Sequence, residues 1–462
     1  MCGITGLFYN NNINNALEIY ESLLSIQHRG QDGAGICCID NDVIIKGKGL
    51  IYNLFSYDKL KEMNSKVFIG HTRYKTNNIL DSFQPFILKN EKLKMYFSHN
   101  GNIINIDEIE KILNTNYNIK NTQQVSDSFL LFQLIFYFLD SDIKNNNNNL
   151  NYKNIVNMSN YLHEHIVGSF SIILYINDFG LAIMKDKYGI RPLVYGFNEK
   201  NDILVSSESC SLNNVLNYKF MEEINAGETI LFTDKMEKHK SQYKYSDLRP
   251  CLFEYIYFSR LDSNVNNISI YNCRYQLGKL LGQIMIKEKE NIDFIIPTPE
   301  TSRIYAYGTS EVMNIPIQEC IIKNRYINRT FIIENKNKIH EDIKRKFSVI
   351  KEIIKGKNVL LLDDSIVRGN TSRSIIKLLR NEGVKNIIFG SASPKIFNTN
   401  KFGIYIEKKN ELVTYSNKTN ETIANNIGAD KIYFNSLDNV IQIINKFNSN
   451  INDMEVSMFI DN

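Results

Sequence analysis

Residues 359–372, Val-Leu-Leu-Leu-Asp-Asp-Ser-Ile-Val-Arg-Gly-Asn-Thr-Ser, constrain the fold more than any other stretch of the chain. An unbroken apolar run is the pattern of a strand buried on both faces, the central strand of a parallel sheet. Two carboxylates, Asp363 and Asp364, close the run, and a loop containing glycine, threonine and serine then opens a helical stretch. In open α/β sheets ligands sit beyond the carboxyl ends of the strands, where a helix N-terminus offers backbone N–H groups to an anion. Gly369 permits a tight turn with close backbone approach, and Thr371 and Ser372 add hydroxyl donors. The adjacent carboxylates suit ribose hydroxyls or an oxygen-coordinated Mg²⁺.

The surroundings agree. Residues 291–297 read as a second buried-type strand, followed by a helix near 302–313; a helix at 371–382 and a strand at 386–390 follow the loop. Strand and helix in alternation predict a doubly wound α/β unit. The first half reads differently, as β-rich with few helices. Residues 16–27 and 126–139 have helical apolar spacing, the latter with Ser126 or Asp127 suited to its N-cap. Residues 27–35 read as a glycine-rich loop, and strands at 169–176 and 181–185 flank Asn177-Asp178-Phe179-Gly180, a hairpin signal. The polar stretch 234–247 reads as a linker. The expected domains are therefore 2–235 and 250–445, with 446–462 as a C-terminal tail.

At 462 residues, with 43% hydrophobic and 23% charged residues, the chain has the make-up of two or three ordinary globular domains. A net charge of +4 gives no footprint for nucleic acid or an anionic membrane. No run approaches about 18 apolar residues, so no membrane span is expected, and no secretory signal is seen. The seven cysteines are scattered without a CxxC pair, which predicts reduced thiols in the cytoplasm. The asparagine run at 145–149 reads as a solvated loop insertion.

One cysteine stands apart. Cys2 follows Met1, and removal of the methionine would place a thiol and a free α-amine on one residue. Such an amine has a pKa of about 7.7–8, so near pH 7 part of it is neutral and can accept the thiol proton. The plainer alternative is a small apolar residue opening a buried strand.

The two ends of the chain together carry a resemblance. Cys2-Gly3-Ile4, 28–35 (His-Arg-Gly-Gln-Asp-Gly-Ala-Gly), Gly70-His71-Thr72-Arg73-Tyr74, His99-Asn100-Gly101-Asn102, Ser126-Asp127-Ser128 and Ser206-Ser207-Glu208-Ser209-Cys210 lie in the first half. The second half adds 249–258, Pro299-Glu300-Thr301-Ser302, Lys323-Asn324-Arg325-Tyr326 and the 359–372 motif. In this order they resemble the glutamine phosphoribosylpyrophosphate (PRPP) amidotransferases. The resemblance implies an N-terminal Ntn-hydrolase-type αββα glutaminase sandwich and a C-terminal type I phosphoribosyltransferase domain of doubly wound α/β form.

It also implies roles. Cys2 attacks the glutamine side-chain amide; Asn100 and Gly101 form the oxyanion hole; Arg73 and Asp127 take the α-carboxylate and α-ammonium of glutamine. An Asn-Gly pair is also a type I′ hairpin-turn signal, and both readings stand at this point. PRPP lies on Asp363, Asp364, Ser365, Arg368, Gly369, Asn370, Thr371 and Ser372, with Lys323, Arg325 and Tyr326 on a closing loop. Ser302, Asp363 and Asp364 hold one Mg²⁺ per subunit. Ammonia passes through an internal channel to C1 of PRPP, giving 5-phosphoribosylamine, the first step of purine synthesis. Purine-nucleotide feedback and a homotetramer are further implications.

Several positions depart from the family pattern. Asn370 stands for threonine, Leu261 for proline and Asn328 for glycine; 339–348 lacks a Val-Arg pair, and 393–402 lacks Pro-Pro and Arg-Tyr-Pro elements. Some members carry a propeptide and an iron–sulfur cluster. Here Cys2 follows Met1 directly, Cys251 matches one ligand position, and residues 454–462 contain no cysteine, so no cluster is expected and Cys251 reads as a buried thiol. Glucosamine-6-phosphate synthase and asparagine synthetase types share the cysteine start but not the PRPP loop. A non-catalytic subunit on the same scaffold is the alternative from another class, and the retained Cys2, Arg73, Asn100, Asp127, Asp363 and Asp364 speak against it.

Overall fold

The computed structural model describes residues 2–74, 83–121, 124–145, 150–213, 217–324, 326, 346–404, 406, 408–416 and 418–461. The first half places two antiparallel sheets face to face. The first strand, β1 (Gly3–Phe8), carries alternate side chains to opposite faces of its sheet, and every one of them is buried. Helix α1 (Leu17–Ser25) follows, then β2 (Gly33–Cys38), β3 (Val43–Lys48), β4 (Val67–Arg73), β5 (Phe86–Lys89) and β6 (Lys94–Ile103). Helices α2 (Ile106–Tyr117), α3 (Asp127–Asn145) and α4 (Tyr152–His165) lead to β7 (Gly168–Ile176) and β8 (Gly180–Lys185). Strands β9 (Val194–Phe197), β10 (Ile203–Ser206), β11 (Lys219–Glu223), β12 (Glu228–Thr233) and β13 (Lys238–Gln242) complete it.

Among the described residues, one sheet has seven strands in the order β11-β9-β10-β1-β4-β2-β3, the other six in the order β13-β12-β8-β7-β6-β5. Ile4, Phe8, Ile69, Tyr96, Ile173 and Ile183 fill the space between them. Leu7, Ile19 and Leu23 join α1 to the outer face of the first sheet. Phe97, Leu131, Phe132 and Leu174 join α3 to the outer face of the second, with the rings of Phe97 and Phe132 stacked at 4.8 Å. Alternation along β6 thus sends Tyr96 inward and Phe97 outward. The layers run helix, sheet, sheet, helix, as the resemblance implies.

The second half holds α5 (Ile270–Lys287), β14 (Phe294–Pro297), α6 (Arg303–Met313), β15 (Ile321–Lys323), β16 (Asn358–Asp363), α7 (Asn370–Asn381), β17 (Asn386–Ser391), α8 (Asn420–Ile427), β18 (Lys431–Phe434) and α9 (Leu437–Phe447). Strands β14-β16-β17-β18 form a parallel sheet. Leu360 and Leu362 of β16 pack on one face with Leu277 of α5 and Val440 of α9. Val359 and Leu361 pack on the other with Ile375 of α7 and Ile423 of α8. The unbroken apolar run is explained by helices on both faces.

Four local expectations are corrected. The stretch 234–247 is not simply a linker: β13 pairs with β12 as an edge strand, its side chains alternating between exposed and half-buried. Residues 27–35 are loop only in the middle, opening as a 3₁₀ turn at Gln27–Arg29 and closing in β2. Asn100-Gly101 is no hairpin turn but lies within β6, paired with Ser171 and Phe170 of β7. The expected tail packs into the second core through Ile451, Met454, Met458 and Phe459. Helix α3 begins at Asp127, with the Ser126 hydroxyl accepting from Phe129 N–H at 3.2 Å as its cap. Residues 146–149 of the asparagine run, Asn328 and most of 339–348 lie outside the described residues. No helix among the described residues is long and apolar enough to cross a membrane.

Candidate active site

Cys2 sits at the mouth of β1, in the middle of its sheet. Its backbone N–H donates to Asn100 Oδ1 at 2.9 Å, and its carbonyl accepts from Arg29 Nε at 3.1 Å. The residue is therefore pinned on both sides, and its Sγ lies 3.9 Å from the Tyr74 carbonyl oxygen. Asn100 is fully buried, and its Nδ2 donor has no partner among the described residues. An unpaired buried amide donor costs roughly 1–3 kcal/mol, which an acceptor placed beside it would recover. Gly101 follows where a Cβ would lie 2.0 Å from the Ser169 carbonyl oxygen, so only glycine fits between the strands.

Arg73 ends β4, one residue beyond Thr72, which pairs with Gly3. It is buried with its guanidinium over the Phe83 ring at 5.1 Å. Burial pushes its pKa down, while Cys2 and Asp32 pull the other way. Asp127 begins α3, and its Oδ2 accepts from Ile103 N–H, at the end of β6, at 3.0 Å. Ser128 beside it bonds His99 Nδ1 at 2.8 Å, and burial holds His99 below its ordinary pKa. Cys2, Arg73, Asn100, Gly101 and Asp127 thus lie at or near the ends of four elements, β1, β4, β6 and α3, at one end of the sandwich.

The second site is a cavity of about 1270 Å³ at the carboxyl end of β16. Asp363, Asp364, Ser365, Arg368, Gly369, Asn370, Thr371 and Ser372 all line it, as does Lys323. Gly369 has φ 73°, a left-handed conformation suited to glycine, and it caps the start of α7. Asp364 N–H donates to Asp363 Oδ1 at 3.0 Å, and Ser365 Oγ donates to Asp364 Oδ1 at 2.7 Å. Burial and the adjacent Asp364 push the Asp363 carboxyl well above the usual carboxylate range. Arg368 is paired with Glu411 at 2.7 Å, and Asn370 Oδ1 accepts from Arg373 at 2.7 Å.

Ser302 does not join this site. It is fully buried, does not line the cavity, and its hydroxyl donates to the Thr298 carbonyl inside the turn that starts α6. Its neighbour Thr301, part of the same motif but given no role by the resemblance, lines the cavity and donates to Asp364 Oδ2. Tyr326 is 97% exposed and away from the cavity lining, and Arg325 lies outside the described residues. Cys251 is a buried thiol pushed up to about 12 by burial.

His28, Gln31 and Tyr74 of the first half line the same cavity as the phosphate loop. The sequence also underplayed Arg29, which stands in the 28–35 motif but whose complete burial against Glu208 and Glu254 no local pattern reveals.

Two family models match the chain, a glutamine amidotransferase domain over residues 71–214 and a phosphoribosyl transferase domain over 270–393. The amidophosphoribosyltransferase of Haemophilus influenzae is 35% identical, the match covering 99% of this chain and 92% of that one. That of Methanocaldococcus jannaschii is also 35% identical, over 96% and 95% of the two chains. A solved structure of the B. subtilis glutamine PRPP amidotransferase, complexed with ADP and GMP, superposes with a TM-score of 0.82 at 30% identity, covering 96% of this chain and 92% of that one. With its two sites and its full-length likeness to these enzymes, the chain belongs to the amidophosphoribosyltransferase family.

Proposed function

We propose that Cys2 releases ammonia from glutamine and that this ammonia displaces pyrophosphate from C1 of PRPP held on the 363–372 loop. The products are glutamate, pyrophosphate and 5-phosphoribosylamine, the first intermediate of purine synthesis. With Met1 removed, the Cys2 α-amine takes the thiol proton and the sulfur attacks the amide carbon. The same amine then gives a proton to the departing nitrogen, and water hydrolyses the thioester. One observation carries the reading: Asn100 holds Cys2 with its oxygen while keeping a buried donor unspent. That donor and Gly101 N–H suit the oxygen that becomes negative in the tetrahedral intermediate. Arg73 and Asp127 bring the charges needed to grip the two ends of the amino acid.

At the second site the N-terminus of α7 offers N–H groups to the 5-phosphate. Asp363 and Asp364 present a dense, oxygen-only set of acceptors that fits ribose hydroxyls or a hard cation. They would hold Mg²⁺, one per subunit, which when bound neutralises pyrophosphate charge; Thr301 orients Asp364. Lys323 adds positive charge to the cavity wall. Tyr74, whose carbonyl is near Cys2 and which lines the cavity, supports direct transfer of ammonia between the sites.

A purine nucleotide carries phosphate as PRPP does, and the ADP and GMP bound to the B. subtilis enzyme support purine-nucleotide binding, and through it feedback, by this chain. Cytoplasmic location and a homotetramer rest on the family resemblance; sedimentation tests the latter.

Cys2→Ala decides the main reading. Glutamine-dependent product is abolished, while ammonia-dependent product persists with PRPP and Mg²⁺. Equal loss of both activities in a folded variant would refute the division of labour.

A further inference from the structure

Arg29 is completely buried, yet its guanidinium touches three different parts of the molecule. Nε donates to the Cys2 carbonyl at 3.1 Å. Nη1 donates to Glu208 at 2.6 Å and to Glu254 Oε2 at 3.1 Å, and Nη2 donates to Glu254 Oε1 at 2.6 Å. Glu208 belongs to the glutaminase half, whereas Glu254 opens a π-helical turn, Glu254–Phe258, that packs with the core of the second half.

Each carboxylate is itself fixed. Glu254 also accepts from Arg191 Nη1 at 3.3 Å and from Ser259 Oγ at 3.0 Å. Glu208 accepts from Arg260 N–H at 2.8 Å, from Ser263 Oγ at 2.7 Å and from His28 Nε2 at 2.7 Å. Burial alone would raise the Glu254 pKa, but Arg29 and Arg191 outweigh it and hold the carboxyl below its usual range. The group is therefore charged near neutral pH, and the guanidinium opposite it is charged as well.

A buried ion pair of this kind is poor evidence for stability, since apolar side chains of similar volume often do as well. What it supplies is geometry. The guanidinium is planar, and a two-pronged carboxylate contact fixes the orientation of that plane. Nε lies in the same plane, so the direction from which it reaches the Cys2 carbonyl follows the position of Glu254. Cys2 N–H is tied to Asn100 independently. The orientation of the thiol then depends on both ties.

We propose that Glu254 is a positioning residue for the glutamine reaction: contributed by the PRPP half, it sets the attack geometry of Cys2 through the Arg29 guanidinium. This rests on the reading of Cys2 as the nucleophile. Glu254 is buried and does not line the cavity, so its loss affects turnover of glutamine rather than its binding. It also lets the seating of the π-helical turn, whose Tyr257 and Phe258 line the PRPP cavity, be felt at the thiol.

The test uses the full-length enzyme carrying Glu254→Gln. This variant keeps the shape and one acceptor but removes the charge and one half of the two-pronged contact. Glutamine-dependent kcat falls by about tenfold or more, as a small misplacement of an attacking group costs. The KM for glutamine and the ammonia-dependent rate stay within about twofold. Alkylation of Cys2 by a glutamine-like electrophile slows in parallel with kcat.

Glu254→Asp keeps the charge but shortens the reach, and gives the same split if Glu254→Gln fails to fold. Parallel loss of the glutamine and ammonia reactions, or no loss in either, overturns the proposal. Failure of the underlying reading looks different: the unmodified enzyme then shows no Cys2-dependent glutamine turnover at all.

Discussion

At the scale of single residues, Asn100 divides its amide between two tasks. Its oxygen accepts from Cys2 N–H, and its nitrogen, unpaired among the described residues, is the donor that the proposed mechanism assigns to the tetrahedral intermediate. Asn100→Asp separates them, because a carboxylate keeps the acceptor and lacks the donor. Glutamine kcat is expected to fall about 10²–10³-fold, the usual cost of one oxyanion-hole donor, while ammonia-dependent synthesis is retained. A steady-state comparison of the two reactions checks this.

His163 shows the opposite use of a buried polar group. It lies between the rings of Phe170 and Tyr243, its Nε2 meets Ser159 at 3.3 Å, and its Nδ1 has no partner among the described residues. Burial, with Lys187 adding repulsion, pushes its pKa down to about 4. The unfolded chain therefore binds this proton first, and stability falls as pH drops from about 6.5 towards 4. Below that range both states are protonated and the loss stops. Between pH 7 and pH 4 the contribution is about 3 kcal/mol. Urea unfolding of His163→Gln should show a pH dependence flatter by that amount; identical slopes would show that His163 is not responsible.

At the scale of elements, the strand–loop–helix of the PRPP site turns on one left-handed residue. Gly369→Ala strains the backbone by about 1–2 kcal/mol, and its Cβ would meet Arg373 Nη1 at 3.0 Å. If the strain is relieved by moving the loop, the KM for PRPP rises by about tenfold. Gly356→Ala is the control. It has φ 75° but open space around the missing Cβ, and its turn is not part of the cavity lining. The control should lose stability without changing the KM for PRPP.

This motif was legible in the sequence because each part has a local cause. The apolar run needs helices on both faces, the turn needs glycine, and carboxylates at a strand end need a ligand. Asp363–Ser372 accordingly sits where the pattern said. Ser302 did not, because one position along a turn decides whether a hydroxyl faces the cavity or caps its own backbone; Thr301 faces it instead. The linker at 234–247 misled for a related reason. An edge strand with one exposed face has little apolar content, so β13 looks like a connection. The Asn-Gly pair misled because its cause is not a turn at all but the crowding of β6 against β7.

At the scale of the whole molecule, the two halves meet through polar groups that no window of sequence could pair. Besides Arg29, the Ser169 hydroxyl donates to the Phe402 carbonyl at 3.0 Å, and Asn102 Nδ2 donates to Lys401 O at 2.8 Å. Both partners lie in the 393–402 stretch that departs from the family pattern, so the departure sits where the halves touch. The last residues complete the core of the second half. Glu455 bridges to Cys251, and Phe459 is buried against Phe253 at 6.3 Å. Phe459→Ala should cost about 3–5 kcal/mol, read from denaturant unfolding.

The place of β1 has a consequence for how the enzyme comes into being. The strand is flanked by β4, ending at residue 73, and by β10, ending at residue 206. At about 5–20 residues per second, ribosomes need roughly 10–40 s to reach residue 206. Until then Cys2 lacks one of the two strands that flank β1 in the folded sheet, and its thiol is without the completed site. A ribosome stalled before that point leaves Cys2 without its site, and translation speed through the first half sets how long that thiol stays outside a finished fold.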